Sequence, residues 1–354
     1  MPNQAVFELV HALKNVWRPS SHVASATDDL LLGKLEETCA KLYPQVRTGS
    51  GFRFALRTAY RNLGCVFSRK EGTELLAAAV RLDAAFRQRT AKLTHLCPLD
   101  QADELPRVTF GPNQVRSFSM EELGALLDPS ALIPSRGRWL ENLARLSRFQ
   151  WLVVEETVEV TEDVAARTLP RLSVPFSRDY AAIVPHGSRF PHVVENAIFS
   201  LLLVPWEDYV AYVDVDWRPF RIPWVHSVTD DIFVSNPFYR DADTLSWEPD
   251  IFRDSYGNEI EEERPTSLRL KDEAIPQLGE QLNESLWARS TSVRDTRLTR
   301  RPLQHFFVRA FLEDDIDEFL PHLITIEAVL GRPEDHNRKT RRKFPGKNVA
   351  QAIG

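Results

Sequence analysis

Cysteine is scarce: Cys39, Cys65 and Cys97 are the whole complement of a 354-residue chain. They lie far apart, are odd in number and show no CxxC spacing, which argues against a disulfide framework and against a zinc ribbon. Buried, inert thiols in a reducing cytosol are the expectation. Glycine is thin as well, at 14 residues. Neither GxGxxG nor GxxxxGK[ST] occurs, so no phosphate-cradling glycine loop is present. GxSxG is missing too, and with it the strand–turn–helix setting of an activated serine.

Long apolar runs are also absent. The longest, Ala197 to Pro205, falls far short of the ~20 residues that a membrane-spanning helix needs. The opening MPNQAVFELVHALKNVW carries Glu8 and no basic stretch, unlike a secretory signal. The sequence therefore predicts a soluble cytoplasmic protein without membrane contact. Lysine is rare, 9 residues against 35 arginines, and the net charge is −6 with a pI of about 5.9. Such a chain is not a globally basic nucleic-acid binder, and any contact of that kind must be local.

What is there is ample material for packed cores. The chain is 43% hydrophobic and 10% aromatic, with eight tryptophans, which excludes a largely disordered protein and leaves room for two or three domains. Periodicity predicts an α+β fold in three parts. Residues 1–100 read as a helical region, with Val6, Val10, Leu13 and Trp17 on one face, a start at Thr27-Asp28-Asp29, and an Ala/Leu-rich helix over 74–93 that Cys97-Pro98 closes. Residues 101–271 read as a mixed α/β domain with irregular strands. Its markers are a short strand RVTF before the turn Gly111-Pro112-Asn113, a capping box Ser119–Glu122, and a β-branched strand over 150–160. An apolar helix over 190–204 follows, then an edge or bulged strand with two prolines from Trp217, and a hairpin turning at Gly257-Asn258. Residues 272–354 read as helical with a basic tail. Three stripes mark the helices: Ile275 to Leu286, Leu303 to Phe311, and Ile316 to Leu330, the last closed by Gly331.

Carboxylates offer two candidate sites. Asp214, Asp216, Asp230 and Asp231 flank a strand with His226, a donor set for Mg²⁺ or Mn²⁺. Glu248, Asp250, Glu259 and Glu261 have a faint likeness to a metal-dependent nuclease core, but the lysine such a core needs is missing. Asp is favoured in turns and caps anyway, so no metal and no cofactor is assigned. Glu327 lies on or beside the apolar stripe of its helix, where a carboxylate has to be paired when buried. Arg338, Lys339, Arg341, Arg342 and Lys343 form a dense cationic run that could neutralise several phosphates.

The segment RRPLQHFFVRAFLEDDIDEFLPHLITIEAVLG resembles the opening helices of HEPN domains of the anti-phage ribonuclease type, with Ile326-Glu327-Ala328-Val329-Leu330-Gly331 in the place of that family's signature. The resemblance implies an RNA-associated protein of a bacterial defence or toxin system, with the middle domain as a sensor. It also places the family's catalytic Arg and His, four to six residues apart, on a helix that would begin near residue 355, so an incomplete copy of the helical domain is expected. Within the chain, Arg89/His95, Arg221/His226 and Arg300/His305 have the right spacing, about as many as 35 arginines scatter by chance. Only Arg300/His305 falls in the right region. With Glu327 it makes up the candidate catalytic set, and the 338–343 run is the candidate RNA contact. A helical domain without return helices needs its faces at 298–330 covered, which predicts a homodimer or a partner protein. The alternatives from the same residues are a non-catalytic helical scaffold or sensor and a metal-dependent nuclease of the Asp-rich middle.

Overall fold

The computed structural model describes residues 4–16, 26–63, 75–127, 136–167, 190–212, 218–236, 240–253, 255–292, 301–312 and 315–330. The fold is α+β. Among the described residues four helices come first: α1 (Gln4–Val16), α2 (Ala26–Leu42), α3 (Ser50–Asn62) and α4 (Leu75–Arg87). Their apolar stripes converge on one core that includes Leu9, Leu13, Leu35, Cys39, Phe52, Leu56, Leu82 and Phe86. Two polar ties fix the packing. Arg53 Nε donates to Glu36 Oε2 at 2.9 Å, joining α3 to α2, and the Tyr43 hydroxyl donates to Asp83 Oδ1 at 2.6 Å. Burial pushes the Cys39 thiol up to about 12 and raises Cys97 further in the same direction, so both stay protonated at neutral pH.

The helix expected over 74–93 ends at Arg87, and the chain returns as strand β1 (Thr90–Leu99). The helical reading failed because HLCPL is buried on both faces, and a continuous apolar run carries no period of two. Pro98, read as the end of a helical block, lies inside this strand. It sits beyond Leu93–Leu96, the part that the next strand covers, so its missing N–H breaks no ladder bond on that side.

β1 is the penultimate strand of an antiparallel sheet ordered β3-β4-β5-β1-β6. β3 is Val108–Phe110, β4 Asn113–Ser117, β5 Gln150–Glu159 and β6 His226–Thr229. The strand expected from Trp217 shrinks to β6, which does stand at a sheet edge. A two-residue pair, β2 (Gln101–Ala102) with β9 (Ser267–Leu268), and the hairpin of β7 (Trp247–Arg253) with β8 (Glu259–Pro265) complete the described strands. Gly257 takes φ 84° in the hairpin turn, where a side chain would be strained.

Each sheet face has its own cover. Leu96, Trp151 and Val153 pack under α5 (Met120–Leu127) and α6 (Arg136–Leu146) through Leu123, Leu143 and Leu146. Cys97, Leu99, Val115, Leu152 and Val154 pack under α7 (His192–Leu202) and three later helices, α8 (Ala274–Gln281), α9 (Glu284–Ser292) and α10 (Arg301–Leu312). The later helices thus share the sheet's core. The last described helix, α11 (Asp315–Leu330), packs on α10, with His322 edge-on to Phe307 at 6.3 Å. Among the described residues, no helix is long and apolar enough to cross a membrane.

Candidate functional site

α7 is buried along nearly its whole length, and Glu195 is buried with it. A carboxylate in that position needs a partner, since bare burial of a charge is prohibitive. The partner is His305 on α10, whose Nδ1 lies 2.8 Å from Glu195 Oε1. The Glu195 side chain is 3% exposed and that of His305 is 21% exposed. Nδ1 is the ring nitrogen that faces the carboxylate, which leaves Nε2 as the other polar atom of the ring. One residue along each helix, Gln304 Nε2 donates to Asn196 Oδ1 at 2.7 Å. Two adjacent polar pairs therefore fix α10 on α7, with Phe199 and Phe307 edge to face at 5.6 Å beside them. Chemically this is an imidazole oriented by a buried carboxylate and open on one side, the arrangement of a general acid–base group. Positions 301 and 309 lie one helical turn to either side of 305, both are arginine, and Arg309 is exposed.

The other candidates fare differently. Arg300 and the run Arg338, Lys339, Arg341, Arg342 and Lys343 lie outside the described residues, as do Asp214 and Asp216. Glu327 is exposed, not buried beside an inward stripe. The reason lies in α10, whose own large apolar residues Val308 and Phe311 are spent on the sheet core. α11 consequently meets its surroundings through the side that holds Pro321, His322 and Thr325, and Phe319, Leu320, Leu323, Ile324 and Ile326 remain exposed.

The described carboxylates of the Asp-rich middle hold the fold together. Asp230 Oδ1 accepts from Lys92 N at 2.9 Å and Gln88 Nε2 at 3.2 Å. Asp231 is buried with Arg167, Nη1 to Oδ2 3.5 Å, and burial raises its carboxyl while lowering the guanidinium. Arg167 also donates to the carbonyls of Thr161, Ala85 and Gln88 at 2.6, 3.1 and 3.1 Å. It thereby closes the C-terminal end of α4. On the hairpin, Arg264 Nε donates to Glu248 at 2.7 Å and Arg253 to Glu259 at 3.0 Å. Among the described residues, no three His, Cys, Asp or Glu side chains are grouped to hold a metal ion.

Two further clusters could not be assembled from the sequence, although His95 stands at the Arg/His spacing from Arg89. Arg167 is one arginine among 35, and nothing local marks it. His95 is 2% exposed on β1, with Nδ1 2.7 Å from Ser227 Oγ on β6 and Nε2 3.1 Å from Glu156 Oε1 on β5. Those contacts form a cross-strand chain that satisfies both ring nitrogens of a buried imidazole. Against family models, curated proteins and solved structures, the chain matches none.

Proposed function

We propose that the protein is RNA-associated, of the type that serves defence or toxin systems, and that it meets the RNA backbone on the α10 face around His305. The observation that carries this reading is the His305–Glu195 pair. RNA brings its own nucleophile, the 2′-hydroxyl, so a protein that acts on it needs no nucleophilic side chain. A positioned proton-transfer group and cations for the phosphate suffice. His305 is the first, and the arginines at 301 and 309 are spaced to supply the second. The cationic run at 338–343 adds phosphate contacts that carry no sequence information.

The test is fluorescence anisotropy of a labelled single-stranded RNA titrated with the full chain at rising salt, beside a cleavage assay in EDTA. Binding that weakens steeply with salt, and is reduced when Arg309 and the 338–343 cations are neutralised, is the expected result. Cleavage in EDTA that stops in His305→Ala would make His305 a catalytic residue. No binding at low salt would overturn the reading. A second reading, a non-catalytic helical scaffold, draws on the exposed apolar side of α11 and predicts no RNA contact at all.

A further inference from the structure

The sequence of α11 carries a regular apolar spacing, and its central members are exposed. Ile316, Phe319, Leu323, Ile326 and Leu330 follow one another at intervals of three, four, three and four. That is the a/d spacing by which one helix seats knobs into the holes of another. Phe319, Leu320, Leu323, Ile324 and Ile326 are between 41 and 61% exposed. α10 offers no comparable face, because Leu303, Val308, Ala310 and Phe311 are buried.

We propose that this seam is a self-association surface, on which a second copy of the chain lays its own α11 antiparallel. The seam calls for a helix, and the charges at its two ends select which helix and which direction. α11 opens on Asp315, Asp317 and Glu318, preceded in sequence by Glu313 and Asp314, and the sequence past its end carries Arg332, Arg338, Lys339, Arg341, Arg342 and Lys343 against Glu334 and Asp335. An antiparallel two-fold brings the acidic start of each helix to the end from which the other copy's basic sequence runs on. A parallel pair sets acid against acid. Size sets the strength. The exposed apolar surface is on the order of 400 Å² per copy, about half the ~800 Å² per partner of a standard interface. The dimer is accordingly weak and concentration-dependent. The inference shares the 338–343 cations with the RNA reading, and Leu323→Glu, which leaves those cations in place, tells the two apart.

Sedimentation of the full chain over micromolar to submillimolar concentration tests it, with orientation read by disulfide trapping in a Cys65→Ser background. The expected result is a monomer–dimer equilibrium that weakens with salt, and a Leu323→Glu variant that stays monomeric with an unchanged circular dichroism spectrum. Positions 316 and 330 are 14 residues apart, about 21 Å along a helix. Mixed Ile316→Cys and Leu330→Cys chains should cross-link to each other, and neither should cross-link to itself. A wild-type chain that stays monomeric throughout, or a dimer indifferent to Leu323→Glu, overturns the surface. Self-linking of Ile316→Cys overturns the antiparallel order.

Discussion

Arg167 and Asp231 form an ion pair in which both side chains are all but inaccessible, 2 and 1% exposed, and the two partners are not equally replaceable. Arg167→Ala strands a carboxylate and three backbone carbonyls at once, whereas Asp231→Asn leaves the guanidinium its three carbonyl acceptors. The expected cost is roughly 3–5 kcal/mol for Arg167→Ala and about 1–2 kcal/mol for Asp231→Asn. Urea unfolding of both variants and of the double variant checks the order. Equal costs would mean that the pair acts only as a charge pair.

The same pair sets a pH dependence. Burial holds the Asp231 carboxyl above its ordinary range, so the folded state binds its proton more readily than the unfolded state does. Between the unfolded value near ~3.9 and the higher folded one, the folded state carries more protons, and stability falls as pH rises. Acidification should therefore shift the stability difference between wild type and Asp231→Asn in favour of wild type. Paired unfolding curves at neutral and mildly acid pH give the sign directly.

Gly111 stands where a side chain has no room. Its φ is 58°, and a Cβ would overlap the indole of Trp287 on α9. Gly111 N also donates to Glu284 Oε2 at 2.7 Å. Gly111→Ala combines the strain of a left-handed backbone, ~1–2 kcal/mol, with displacement of a packed aromatic. A total near 3 kcal/mol is expected, together with a change in tryptophan fluorescence. An unchanged spectrum would show that α9 yields without cost.

His305→Ala removes the side chain that bonds the buried Glu195, and a loss on the order of 2–4 kcal/mol is expected. His305→Gln, which keeps a donor, should recover much of that stability without restoring proton transfer. That variant separates a folding effect from a chemical one in any RNA assay.

Glu327→Ala should leave the melting temperature nearly unchanged, within about 0.5 kcal/mol, because the side chain is exposed. Sequence reasoning had implied the opposite, and the difference shows what a single helix reveals. Its amphipathic pattern is legible, but which side meets the core depends on whether neighbouring helices have apolar surface to spare. α10 does not.

Elsewhere, legibility follows how local the determining contacts are. The Ser119–Glu122 box could be read from four residues and forms in full: Ser119 N donates to Glu122 Oε2 at 2.8 Å and Glu122 N to Ser119 Oγ at 3.1 Å. β5 and the β7–β8 turn were equally readable. β1 was not, since Ala-rich α4 runs into it after two residues and its partners lie far along the chain. Half of the candidate site was visible. His305 drew attention by its spacing from an arginine, but Glu195, 110 residues away, could be joined to it only by the packing of α10 on α7.

Ile232 and Phe233 belong to the core of the first four helices: Phe233 lies 4.9 Å from Phe86, and Asn62 Nδ2 donates to the carbonyls of Ile232 and Val234 at 2.8 and 3.0 Å. During synthesis those helices emerge well ahead of their own plug. The roughly 145 residues between Phe86 and Phe233 take on the order of ten seconds to be made at ~5–20 residues per second. Throughout that interval the nascent bundle presents an apolar opening, and the β6 side of β1 stays uncovered until residues 226–229 are made. The N-terminal helices of this protein therefore cannot close their core before the ribosome has made residue 233.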